Sequence, residues 1–98
     1  MTIRAFRHLE TTSPVVHICP RCHRSIVYGL AEGIPARVDP APVDTLRDEP
    51  WLVLAGRQTY TLTRTGLVHR DAGRRADPDL TGPVLPEHHC DPRKAAAA

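Results

Sequence analysis

Large aromatic side chains are nearly missing from this sequence: Phe6, Tyr28, Trp51 and Tyr60 make up 4% of the chain. Hydrophobic residues reach only 41% of 98 residues, so the chain has room for one domain with a modest buried core. No stretch of eighteen apolar residues occurs, and Met1 to Glu10 has no apolar run of signal-peptide length; a cytoplasmic protein without a membrane anchor is expected. A fourth cysteine is also missing. Three cysteines leave one unpaired in any disulfide scheme, which argues against a secreted disulfide framework. Ten prolines and six glycines break the chain so often that no long helix is expected.

A small core wants a staple, and with disulfides set aside a metal is the natural one. Cys19-Pro20-Arg21-Cys22 places two thiols at the spacing of a metal knuckle, stiffened by Pro20. Far along the chain, Glu87-His88-His89-Cys90 offers a third thiol beside two histidines. Residues two apart in extended chain point the same way, so His88 and Cys90 can converge on one ion while His89 points away. The spacing therefore predicts a structural Zn2+ held by Cys19, Cys22, His88 and Cys90, with His89 and His17 as rivals for the fourth position. About 65 residues separate the two pairs, too many for a finger that closes one short loop, so the metal is expected to clip together the two ends of a whole domain.

The elements read as short antiparallel hairpins with one short helix, an α+β, β-rich, zinc-ribbon-like fold. Val15 to Ile18 leads into the knuckle and Ser25 to Tyr28 returns from it. A turn over Gly29 to Pro35, in which both Gly29 and Gly33 can take positive φ, leads to a strand near Ala36 to Val38. Asp44 to Ala55 is the helix candidate; capping by Asp48 puts Pro50 in the first turn, where its missing N–H does little harm. Gln58 to Thr63 alternates as a half-buried strand, with Tyr60 and Leu62 on one face and threonines on the other, and turns into Leu67 to Arg70. Asp71 to Pro86 reads as a polar loop. Residues 1–14 read as an arm, 15–91 as the domain, and 92–98 as a disordered tail or cloning scar. Within the arm, Ile3, Phe6 and Leu9 have helix-like spacing that is too short to assign.

Several strings resemble one group of proteins. Cys19-Pro20-Arg21-Cys22, Gly29-Leu30-Ala31-Glu32-Gly33, Val38-Asp39-Pro40-Ala41-Pro42, Leu54-Ala55-Gly56-Arg57-Gln58-Thr59-Tyr60 and Glu87-His88-His89-Cys90 look like small actinobacterial and actinophage zinc-ribbon-like proteins. The resemblance covers most of residues 15–91 and implies zinc at Cys19, Cys22, His88 and Cys90 in a phage or mobile-element setting. It implies no activity.

Enzyme chemistry finds little support. A nucleobase deaminase needs a His-x-Glu upstream of Pro-Cys-x-x-Cys; here Ile18 stands before Cys19 where that motif has proline. Neither Ser13 nor Ser25 lies in a nucleophile elbow, and no phosphate- or dinucleotide-binding glycine pattern appears, so no catalytic residue and no small-molecule substrate is expected. Thirteen basic against eleven acidic residues give a net charge of +2, a mild bias. Twelve of the thirteen are arginine, a composition that a GC-rich genome also produces. The expected role is a protein-interaction module, with Trp51 either exposed for a partner or filling the core. The alternative is nucleic-acid binding through Arg21, Arg24, Arg64, Arg70, Arg74 and Arg75. A more distant one is a redox dithiol at Cys19 and Cys22, which would want a helix after the motif where the flanks here read as strands.

Overall fold

A computed structural model describes residues 11–90; the readings at Ile3 to Leu9 and over 92–98 lie outside these. Six antiparallel strands form two three-stranded sheets, accompanied by two short helices. The α+β, β-rich expectation holds, with one helix more than foreseen. Strands β1 (Val15–Ile18), β2 (Ser25–Ala31) and β3 (Ile34–Val38) form the first sheet in that order. Helix α1 (Glu49–Leu54) follows, then β4 (Thr59–Thr63), β5 (Gly66–His69), helix α2 (Ala72–Arg75) and β6 (Val84–Pro86). The second sheet is ordered β5-β4-β6. No helix among the described residues is long and apolar enough to cross a membrane.

The β2–β3 turn is tighter than the sequence suggests. Gly29 stays within β2 opposite Ala36, and Glu32 and Gly33 alone make the turn at φ 53° and 83°. Two successive positive φ values are the turn whose twist matches the flanking strands, so the strands extend to the Ala31–Ile34 pair. Thr11 and Thr12, which the sequence assigns to the arm, belong to this hairpin: Thr12 N–H donates to Leu30 O, and the two hydroxyls accept from Leu30 and Glu32 N–H. The same segment explains Gly66, where a Cβ would stand 2.6 Å from Thr12 O.

The apolar core lies between the sheets, with Ala31, Ala36 and Val38 from one and Tyr60, Leu67 and Leu85 from the other. Leu85 belongs to the stretch read as a polar loop. Val84-Leu85-Pro86 is too short to show a period, yet it pairs along β4 and makes β4 the central strand. Asp71, at the start of the same stretch, caps α2 by accepting the Arg74 N–H.

The other face of β4 departs most from expectation. Thr59 and Thr61 are buried rather than solvated, because α1 covers them with a charge. Pro50 falls in the first turn of α1 as foreseen, and Glu49 beside it points inward. There it pairs with Arg70 through bonds of 2.7 and 3.0 Å, while Thr59 donates to Glu49 and Arg70 donates to Thr61. The helix is thus inverted, with its carboxylate inside and Trp51, 72% exposed, and Leu54 outside. Trp51 does not fill the core.

Burial alone would raise the Glu49 pKa, but the Arg70 and Thr59 hydrogen bonds outweigh it and hold the carboxyl below its ordinary value. A group so depressed stabilises the fold fully above its unfolded pKa, and that contribution is lost as pH falls through the lower folded value. Arg70→Met strands a buried carboxylate and is expected to cost about 3–5 kcal/mol in urea unfolding, whereas adding Glu49→Leu recovers most of the loss. If the single and double variants unfold alike, the pair has no such role.

Candidate metal centre

The β1–β2 hairpin builds half of the site at its tip. Cys19 closes the last rung by donating its N–H to Arg24 O, and the chain turns over Cys19 to Cys22, with His23 at φ 60° and its N–H on Cys19 O. The other half arrives on the segment following β6. Glu87 bridges to Val38, and His88 N–H donates to Arg37 O, so this extended stretch lies along the outer side of β3. Extended geometry then turns His88 and Cys90 toward the knuckle.

Cys19, Cys22, His88 and Cys90 bring their donor atoms within 4.8 Å of one another. Cys19 Sγ lies 3.3 Å from Cys90 Sγ, and His88 Nε2 lies 3.4 Å from both Cys22 Sγ and Cys90 Sγ. A tetrahedral ion with metal–sulfur bonds of about 2.3 Å and a metal–nitrogen bond of about 2.0 Å needs donor separations of about 3.5–3.8 Å, so the set fits with small adjustments. The thiols are unbridged. The cluster is one that can hold a metal ion.

Both rivals for the fourth position lie elsewhere. His17 stacks edge-on against Tyr28 on the sheet face, with ring centres 5.8 Å apart. His89 is exposed beside Glu87. Spacing of two along extended chain was the physical signal that separates His88 from His89.

The surrounding charges favour a cation. N–H groups of Cys22 and Arg21 point at Cys19, and with the Cys90 and His88 hydrogen bonds they lower its pKa to about 6. The Cys19 hydrogen bond, with burial, pushes Cys90 up to about 11. Burial opposes a charged His88, but Asp39 and Cys19 outweigh it and raise its pKa. Thiolate charge gathered in a small space binds either protons or a metal, and deprotonated sulfur is the metal-binding form.

Asp39 and Arg57 adjoin the candidate site, though the ligand spacing does not announce them. Asp39 Oδ1 lies 2.7 Å from His88 Nδ1, which leaves Nε2 to face the sulfurs. A carboxylate on the far ring nitrogen fixes the orientation and raises the basicity of a metal-binding histidine. Arg57 holds the other Asp39 oxygen at 2.9 Å and donates through Nε to Glu87 O at 2.7 Å. One guanidinium therefore ties the carboxylate that orients His88 to the strand that carries it. The only earlier hint of either residue is that both fall within the strings that carry the resemblance.

No protein-family model matches the chain, and neither a curated protein nor a solved structure matches it. The reading of the site rests on its own geometry. Asp39→Ala is expected to weaken metal affinity about 10–100-fold while leaving one site per chain, measured by competition with a chromophoric chelator. Unchanged affinity would remove Asp39 from the site.

Proposed function

We propose that the protein is a small non-enzymatic module stapled by a structural Zn2+ and that it works by binding another protein. The observation that carries this reading is the saturated donor set. Three sulfurs and one imidazole fill a tetrahedron from protein alone, whereas a catalytic zinc keeps a position for water. Cys19, Cys22 and the His88 side chain are each at most 5% exposed and Cys90 is half-buried, which suits a structural ion better than one that must admit a substrate. Thiolate-rich tetrahedral coordination favours zinc over magnesium or calcium, which take oxygen donors. A redox dithiol is disfavoured by strands on both sides of the knuckle.

The arginines weigh against nucleic acid. Of the six that might have gripped phosphates, Arg70 is buried on Glu49, Arg74 pairs with Glu32, and Arg75 donates to Arg70 O. Arg64 sits apart in the β4–β5 turn, leaving Arg21 and Arg24 at the knuckle. Apolar side chains stand in solvent instead, among them Leu46, Trp51 and Leu54 around α1 and three of the four residues of β1. Such exposure is ordinary for a protein-binding surface and unhelpful for phosphate. A phage or mobile-element setting is in keeping with the resemblance.

Native mass spectrometry is expected to find one zinc per chain, and chelation or Cys90→Ser is expected to unfold the domain, since structural zinc contributes on the order of 10 kcal/mol. The protein should also leave heparin at low salt. A metal-free chain that stays folded would sink the structural-zinc reading, and steeply salt-dependent retention would favour nucleic acid.

A further inference from the structure

Every strand edge but one is blocked among the described residues. On β3, Pro35 lacks an N–H and His88 occupies the Arg37 carbonyl. On β6, the Val84 and Pro86 carbonyls accept from Val43 and Asp39. On β5, Arg74 takes the His69 carbonyl and the Thr11–Thr12 segment presses on Gly66. Strand β1 pairs only with β2, and nothing described lies along its outer side.

The register says which groups that edge offers. Cys19 N–H bonds to Arg24 O, so by antiparallel alternation Val15 and His17 turn their backbone groups toward β2, while Val16 and Ile18 turn theirs outward. These two side chains are also 72% and 59% exposed. They lie on the same face as Val27 and Val38, which reach the core, so β1 overhangs the second sheet and leaves that face unroofed. Proteins guard such edges with charge or proline, and Val15-Val16-His17-Ile18 has neither.

Charge around the edge selects the occupant. No acidic residue occurs from Thr11 to Ala31, and Arg21, Arg24 and Arg37 have no carboxylate partner among the described residues. Arg37 shares a sheet face with His17 and Tyr28, and these line a recess of about 170 Å³ floored by Ile26 and Pro20. A second copy of the chain would bring two cationic hairpins together, and phosphate would gain nothing from Val16 and Ile18.

We propose that β1 accepts an extended, acidic, β-branched segment of a partner protein as a fourth strand of the first sheet. The segment bonds to the backbone of Val16 and Ile18 and places carboxylates against Arg21, Arg24 and Arg37. This deepens the protein-interaction reading and rests on it.

The test selects binders from a random twelve-residue peptide library on the full metal-loaded chain. Acidic, β-branched sequences are expected, and adding the selected peptide should slow amide exchange at Val16 and Ile18. Val16→Pro, which removes an outward N–H, and the paired change Arg21→Glu with Arg24→Glu should each weaken binding at least ten-fold. Val16→Glu serves as a second edge variant if the proline disturbs folding. Metal content of each sample separates loss of the staple from loss of the edge. Basic or proline-rich selectants, no selectants, binding indifferent to the edge variants, displacement of the peptide by single-stranded DNA, or a dimer paired through β1 would each overturn the proposal.

Discussion

The convergence of three thiols and His88 is the constraint on which the rest of the molecule depends, because it joins residue 19 to residue 90 across nearly the whole described chain. The apolar core between the sheets is built from small and middle-sized side chains, with Tyr60 its single large ring. Such a core is a thin margin for a domain whose net stability is expected at about 5–15 kcal/mol. A metal ion held by this cluster would add a bond network of similar size. The cluster also ties the β1–β2 hairpin to the β3 edge, since His88 and Cys90 reach the knuckle by lying along that edge.

Two polar networks extend that constraint. Asp39 and Arg57 carry it outward from His88 to the Glu87 backbone, so the ligand's orientation is set by residues from the β3 end and from the chain after α1. Glu49 and Arg70 act on the opposite face of the second sheet, where a fully hydrogen-bonded ion pair docks a helix of six residues. Breaking one partner is costly, yet apolar replacements of both would serve as well or better. The pair's consequence for the surface is that α1 turns its apolar side outward.

That surface leaves chemistry of two kinds unoccupied. Around α1 the exposed Leu46, Trp51 and Leu54 stand beside Arg47 and Asp48, which pair with each other. At β1 an open backbone edge, exposed β-branched side chains and arginines without a carboxylate partner occur together among the described residues, which is why the interaction reading is carried to that strand. Steering by charge and register by backbone hydrogen bonds are complementary means of choosing a partner.

Local rules made much of this legible. The Cys-x-x-Cys turn between β-branched runs, the period of two that aims His88 rather than His89, and Pro50 within the first turn of α1 all depend on neighbours a few residues apart. The same rules misread Thr59 and Thr61 as solvated, Arg70 as a surface cation, and Val84 to Pro86 as loop. Alternation shows that a strand has two faces but not what covers the second, and a three-residue strand has no period to read. By itself, then, the sequence determined which four side chains meet in the candidate metal site and the hairpin that presents half of them, because bond lengths and strand geometry act locally. Only the tertiary structure decided that Asp39 orients His88, that Glu49 buries Arg70, and that β1 is the edge left open among the described residues, because each depends on segments whose approach no local spacing records.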